Sequence, residues 1–302
     1  MGYLIDSHCH LHDRQFFTEK QAEEMLARAR EKGVRKIICI GTDPDDSMAA
    51  RDFASSHDDV YWTYGVHPEE SDRSMWPEPR SGARPAGPSP RAAGANTRAA
   101  ALRTPLRQGS SHNKHPIDIS SSGIVSKKYD LPIAIGEVGL DYHYDGYSRE
   151  AQIKLFEEML QLASDHDLPV VFHVRNAFDD FFPVVANFPK IRGVVHSFTD
   201  SKKVLRRILE TTDFYVGVNG LATYSTLPTP PLERILLETD APFLTPEPFR
   251  GIINEPGYIK EIAQWLSQKL GLEFEIIEKE TTKNAERLYR LQDTKLADNV
   301  GK

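Results

Sequence analysis

The first twelve residues, MGYLIDSHCHLH, place three of the chain's eleven histidines at positions 8, 10 and 12. They follow the short apolar run Tyr3-Leu4-Ile5 and sit beside Asp6. On an extended backbone, residues i and i+2 point the same way. His8 and His10 therefore face one side together, and Cys9 faces the other, where it reads as core. Imidazole nitrogen is the commonest side-chain metal ligand, but a lone His-x-His is a weak signal. Four other apolar runs add to it. AIGE ends at Glu137, VVFH at His173, GVVH at His196 and LLETD at Asp240. Each of these alone has a plain structural explanation: a hydrogen-bonded core histidine, an ion-pair partner or a turn cap. Five strand ends all offering nitrogen or oxygen donors are harder to explain by packing, because buried imidazoles and carboxylates need partners and a shared cation supplies one for all.

The donor set His8, His10, Glu137, His173, His196 and Asp240 exceeds what one open tetrahedral zinc site uses, three protein ligands and a water. It fits two divalent ions about 3.5–4 Å apart under a bridging carboxylate. Mixed nitrogen and oxygen ligation without thiolate suits Zn or Mn, and Mg can also serve.

Short apolar runs must carry these donors. YLID (3–6), VRKIICIG (34–41), VYWTYGV (60–66), LPIAIGE (131–137), LPVVFHV (168–174), RGVVHSF (192–198), DFYVGV (213–218) and RILLETD (234–240) make eight strand candidates. Apolar throughout, they suit a buried parallel sheet. Between them lie helical periods. In 148–165, Ile153, Phe156, Leu160 and Ala163 share one face, and Thr18 with Gln21 reads as a capping box. The tail, 258–270 and 274–291, reads as one or two closing helices. Eight strands alternating with helices predict a TIM-like (β/α)8 barrel with its site at the C-terminal strand ends. A doubly wound open sheet is the competing architecture.

Residues 73–128 break the pattern. They hold seven prolines and, with ten Lys/Arg against two Asp/Glu, a net charge of +8 in a chain of net charge −7. So little apolar content does not offset chain entropy, and disorder is the default. The segment is expected to be a solvated insertion after strand three within one domain spanning 1–302. A basic arm for nucleic-acid phosphates and a locally shifted reading frame are the alternatives. Without those 56 residues the chain is 246 long, close to the ~250 typical of the barrel.

With 39% hydrophobic and 27% charged residues the chain is of ordinary globular composition. No apolar run approaches the ~18 residues of a membrane span. The N-terminus shows no secretory pattern, and two cysteines point to reduced thiols. The expectation is a cytoplasmic protein that does not engage membranes. The acidic balance argues against a protein that coats duplex DNA.

The motifs DSHCHL (6–11), GVHP (65–68), IGEVGLDYH (135–143), LPVVFHVRNA (168–177), HSF (196–198), LLETDAPFLTP (236–246) and RGIINEP (250–256), taken in this order, resemble the TatD family of metal-dependent deoxyribonucleases. The resemblance spans the chain except 73–128. It implies an amidohydrolase-type barrel with a two-metal centre that cleaves phosphodiester bonds of DNA, a 3′→5′ exonuclease acting on single-stranded ends. It implies that His8, His10 and Asp240 hold one ion and His173 and His196 the other, with Glu137 bridging. Glu137 and Asp240 would then act in catalysis together with His67, which lines the pocket in the family pattern. Arg175, Arg250 and Tyr142 are candidates to contact substrate, with Tyr144 as a further stacking aromatic; ordinary surface or packing roles are open for all of them. The sequence departs from the family at the rim. Glu69 stands where a second histidine is frequent, Asp200 where glycine is common, and GLATYSTLPTPP (220–231) lacks the usual basic residue.

Two other readings compete. One is an amide or ester hydrolase on the same scaffold. Related amidohydrolases often bridge their metals with a carboxylated lysine on strand four, and LPIAIGE has no lysine. The other is an inactive binding protein, against which the complete donor set counts. Deletion of residues 75–126 should leave turnover and its salt dependence unchanged. A loss of either in that variant would instead favour the basic-arm reading.

Overall fold

The computed structural model describes residues 2–71 and 131–291, so the 73–128 insertion lies outside the described residues. Eight parallel strands follow one another around the molecule: β1 (Leu4–Cys9), β2 (Val34–Cys39), β3 (Val60–Trp62), β4 (Ile135–Asp141), β5 (Val170–Arg175), β6 (Gly193–Val195), β7 (Tyr215–Val218) and β8 (Ile235–Leu237). Continuous ladders run β1-β2-β3 and β4-β5-β6-β7-β8. Each of the two remaining seams is spanned by a single parallel bridge, Tyr64 to Ile135 and Cys9 to Ala241, plus backbone hydrogen bonds such as Gly136 N–H to Tyr64 O at 2.7 Å and His10 N–H to Ala241 O at 2.8 Å. The strand order and the two bridged seams are those of a TIM-like barrel.

The helices are α1 (Glu19–Glu31), α2 (Pro44–Ser55), α3 (Arg149–Asp165), α4 (Phe178–Ala186), α5 (Lys202–Thr211), α6 (Ile259–Leu270) and α7 (Phe274–Tyr289). Local chemistry sets their starts. Thr18 and Gln21 form the expected capping box. Asp43 caps α2 with Pro44 in its first turn, and Ser148 and Ser201 cap α3 and α5. On α3, Phe156, Leu160 and Ala163 are buried as the period predicts. Among the described residues no helix is long and apolar enough to cross a membrane.

Two apolar layers result. The larger packs the helices on the outer faces of the strands and includes Cys9, as its alternation with the two histidines predicts. The smaller takes inward-facing side chains from every strand or its entry, among them Ile5, Ile38, Tyr61, Ala134, Val171, Val194, Tyr215 and Leu236. Helix α7 closes this layer with Ala285, Leu288 and Tyr289. The interior is therefore apolar at the end where the strands begin.

Two strands are longer than the sequence suggests. β1 continues past Asp6 to Cys9, and β4 continues past Glu137 to Asp141. Pairing explains the second: Val138, Gly139, Leu140 and Asp141 stay in register with Phe172, His173, Val174 and Arg175 of β5. Both strands carry a register shift, between Asp6 and Cys9 and between Ile135 and Val138. Ile5 and His8 lie three residues apart, as do Ala134 and Glu137, yet all four face the interior. An unbroken strand would place such pairs on opposite faces. The irregularity supplies the odd residue and re-aims the side chain.

Gly139 makes the close β4–β5 approach possible. It has φ +149°, and a Cβ there would lie 2.0 Å from the His173 carbonyl oxygen. Gly146 also has positive φ, +103°, but faces open space. Gly139→Ala should cost about 2–4 kcal/mol and Gly146→Ala about 1 kcal/mol, compared by urea unfolding. Equal costs would refute the steric assignment.

Candidate metal centre

The C-terminal ends of β1, β4, β5, β6 and β8 converge on one buried polar cluster. The β8–β1 seam holds its first part. Thr239 donates both its N–H, at 2.9 Å, and its hydroxyl, at 2.6 Å, to the Asp6 carboxylate. Ser7 donates its hydroxyl to Leu237 O at 2.9 Å, and Asp240 N–H donates to His8 O at 2.8 Å. These bonds align His8, His10 and Asp240. His8 Nε2 lies 3.5 Å and His10 Nε2 3.7 Å from Asp240 Oδ1. The two Nε2 atoms are 3.3 Å apart. His10 is fixed through Nδ1, 3.1 Å from Ile40 O.

Glu137 stands at the middle. Its Oε1 lies 2.7 Å from His173 Nδ1, 3.0 Å from His196 Nε2 and 3.8 Å from His67 Nε2, while its Oε2 lies 3.6 Å from His8 Nε2. The His8 and His196 rings stack at 3.9 Å. All six sequence-derived donors thus meet, with His67 alongside. Three groups have donor atoms mutually within 4.8 Å: His8, His10 and Glu137; His8, His196 and Asp240; and His67, Glu137 and His173. The donor chemistry suits a divalent cation. Facing Nε2 atoms at 3.3 Å can share only one proton, whereas a cation accepts both lone pairs. His8, fully buried, also leaves its Nδ1 without a hydrogen-bond partner.

Two carboxylates that the sequence reading missed support the cluster. Asp141 Oδ2 lies 2.8 Å from His173 Nε2, so the His173 ring is held between Glu137 and Asp141. Glu238 accepts the Ser197 N–H at 2.6 Å and lies 3.5 Å from His196 Nδ1. Strand parity carried the signal for both, since Asp141 is four residues past Glu137 and Glu238 two before Asp240. Asp141 lies past the apolar run that ends at Glu137, and only the pairing of β4 with β5 brings it into the strand.

The candidate substrate residues sit differently. Arg175 ends β5 opposite Asp141, with its guanidinium over Tyr144 and its Nη1 3.5 Å from the Tyr144 hydroxyl. Tyr142 donates its hydroxyl to Asp180 at 2.8 Å, and Arg149 pairs with the same carboxylate. Arg250 is exposed, 3.9 Å over the Tyr224 ring and 3.9 Å from Glu247. Among the described residues neither Tyr142 nor Arg250 makes a hydrogen bond or ion pair to the cluster.

Burial by itself would push the Glu137 carboxyl up; the imidazoles of His196 and His173 instead hold it well below the usual carboxylate range. Burial likewise opposes a charge on His173, but hydrogen bonds to Asp141 and Glu137 push it up to about 9. Burial and the neighbouring His173 bring His67 down to about 3. A cation entering at neutral pH must displace the His173 proton, so its apparent affinity should rise from pH 6 to pH 8. Asp141→Asn should weaken divalent-cation binding about 10–100-fold, measured by titration calorimetry. Wild-type affinity in that variant would remove the supporting role of Asp141.

The sequence profile of the family described as TatD related DNase matches residues 5–290. The uncharacterized metal-dependent hydrolase YabD of Bacillus subtilis (strain 168) is 30% identical over 301 residues, covering 95% of this chain and 99% of the relative. The 3′-5′ ssDNA/RNA exonuclease TatD of Pantoea ananatis (strain LMG 20103) is 30% identical over 303 residues, covering 95% of this chain and 100% of the relative. Among solved structures, a TatD family hydrolase of Entamoeba histolytica shares the fold with a TM-score of 0.73 at 20% identity, covering 95% of this chain and 98% of that one. By the extent of these matches the chain belongs to the family of TatD-related DNases and is, with it, a metal-dependent hydrolase.

Proposed function

We propose that the chain is one barrel domain, interrupted by 73–128, that hydrolyses phosphodiester bonds of DNA, removing nucleotides from single-stranded 3′ ends. The observation that carries this reading is the Glu137 carboxylate, whose two oxygens face different imidazoles: His173 and His196 from Oε1, His8 from Oε2. A group so placed suits two cations, one held by His8, His10 and Asp240 and the other by His173 and His196, with Mg, Mn or Zn as the candidates. A pair of divalent cations supplies positive charge that stabilises the attacking and leaving oxygens of a phosphodiester. The exonuclease name of the Pantoea relative supports the choice of substrate.

The chain's own groups do the rest. Asp240 points into the cluster and can accept a proton from an attacking water. His67 Nδ1 accepts the Glu69 N–H at 3.3 Å, so the neutral ring carries its proton on Nε2 and aims that donor toward the cluster. It suits the phosphate or the departing oxygen. Arg175, at the rim beside Asp141, suits a bridging or neighbouring phosphate oxygen.

Metal-loaded protein given 5′-labelled single-stranded DNA should yield a ladder shortened from the 3′ end, and chelation should abolish it. Glu137→Ala and Asp240→Asn should each lower turnover by about two or more orders of magnitude. An intact oligonucleotide alongside hydrolysis of an amide or ester panel would replace this reading with the amidohydrolase one.

A further inference from the structure

We infer that a second phosphate-binding subsite lies beside the metal centre, in the cleft between the start of α5 and residues 225–229 of the β7–β8 connection. It would take the backbone of the same strand whose end is cut, so it rests on the nuclease reading above. The cleft has a volume of about 560 Å³, and its polar lining is Lys202, Lys269, Ser225, Thr226 and Thr229. No carboxylate lines it, although the chain as a whole carries a net charge of −7. Among the described residues neither ammonium has a carboxylate within ion-pair distance, and α5 has no acidic residue in its first turn. Two like charges on one cleft repel unless an anion comes between them.

The cleft's walls lead back to the metal centre. Lys202 begins α5 six residues after His196. The opposite wall follows Asn219, which donates to the Ser197 hydroxyl at 2.9 Å and lies 3.4 Å from Glu238. Leu227, Pro228 and Thr229 are shared with a narrower crevice that includes Phe198 and Asn219. One wall is the first turn of α5, which follows β6, and the other is the connection that leaves β7; Lys269 joins them from the last turn of α6. The lining offers ammonium and hydroxyl donors without an aromatic ring. Such a surface suits phosphate oxygens and gives bases nothing to stack on, so the recognition is of backbone charge and not of sequence.

Binding of a phosphorothioate-linked, fluorescein-labelled (dT)12 tests this by anisotropy across a salt series, with (dT)2 as the short reference. The single linkage of (dT)2 is taken up at the metal centre. The K202Q/K269Q double variant should bind (dT)12 about tenfold more weakly than wild type. Its slope of log K against log salt should be shallower by about 1.4, since each single-strand phosphate contact contributes about 0.7. K203Q, on the same helical turn but outside the cleft, should keep the wild-type slope. The subsite is overturned if the double variant binds like wild type, if K203Q loses as much, or if wild type shows no preference for (dT)12 over (dT)2. Cleavage of unmodified 5′-labelled DNA by the metal-loaded protein is scored separately. Charge-dependent binding without cleavage would end the nuclease reading and leave the subsite standing; cleavage with an unchanged double variant would do the reverse.

Discussion

A carboxylate out of water stays ionised only where positive charge or hydrogen-bond donors replace its hydration. Glu137 is 5% exposed and is held ionised by the imidazoles around it. The rest of the site is organised around that requirement. His173 and His196 come from the next two strands and reach the same oxygen; His8 comes across the barrel and reaches the other. His173 and His196 are flanked in turn by Asp141 and Glu238, and the neighbouring His10 is held by the Ile40 carbonyl. Removing one of two buried partners leaves the other uncompensated, which costs more than the pair contributes. The cluster is therefore interdependent, and a divalent cation is the species that relieves its crowded nitrogens and oxygens together.

The barrel makes such a cluster possible by separating two environments along its axis. At the strand starts the interior is apolar and closed by α7. At the strand ends it is polar and opens to the loops. The transition falls within single strands. On β5, Val171 is core and His173 is in the cluster; at β6, Val194 is core and His196, the residue after the strand, is in the cluster. The two bridged seams lie beside the strands that contribute His8, His10 and Glu137, and there side-chain bonds, Asp6 with Thr239 above all, take over from ladder pairing.

The rim is where this chain differs from the pattern its motifs resemble. Residues 220–231 of the β7–β8 connection include no basic residue, yet Lys202 and Lys269 flank this stretch from other elements. Tyr142 is engaged with Asp180, and Arg250 lies over Tyr224. Lys202 and Lys269 lie outside the motifs that carry the resemblance.

Much of the fold was legible because its signals are local. Eight apolar runs became eight strands, Thr18 with Gln21 became a capping box, and the period of 148–165 became α3, since capping and burial of one face act within a few residues. The six residues of the cluster were legible because a parallel strand that enters through apolar residues and ends in a polar one delivers that group to a common end. The sequence alone thus determined the elements and singled out six residues that the fold brings together. Their meeting was decided by tertiary structure. Where β4 ends depends on pairing with β5, so Asp141 entered the site only once that register was known. Which face Glu137 and His8 present depends on irregularities in β4 and β1, and one inserted residue exchanges inside for outside. The contact between His8 and Asp240 spans more than two hundred residues and exists only where β8 meets β1. No local preference encodes a relation of that kind, because its free energy is shared among every strand that brings the two ends together.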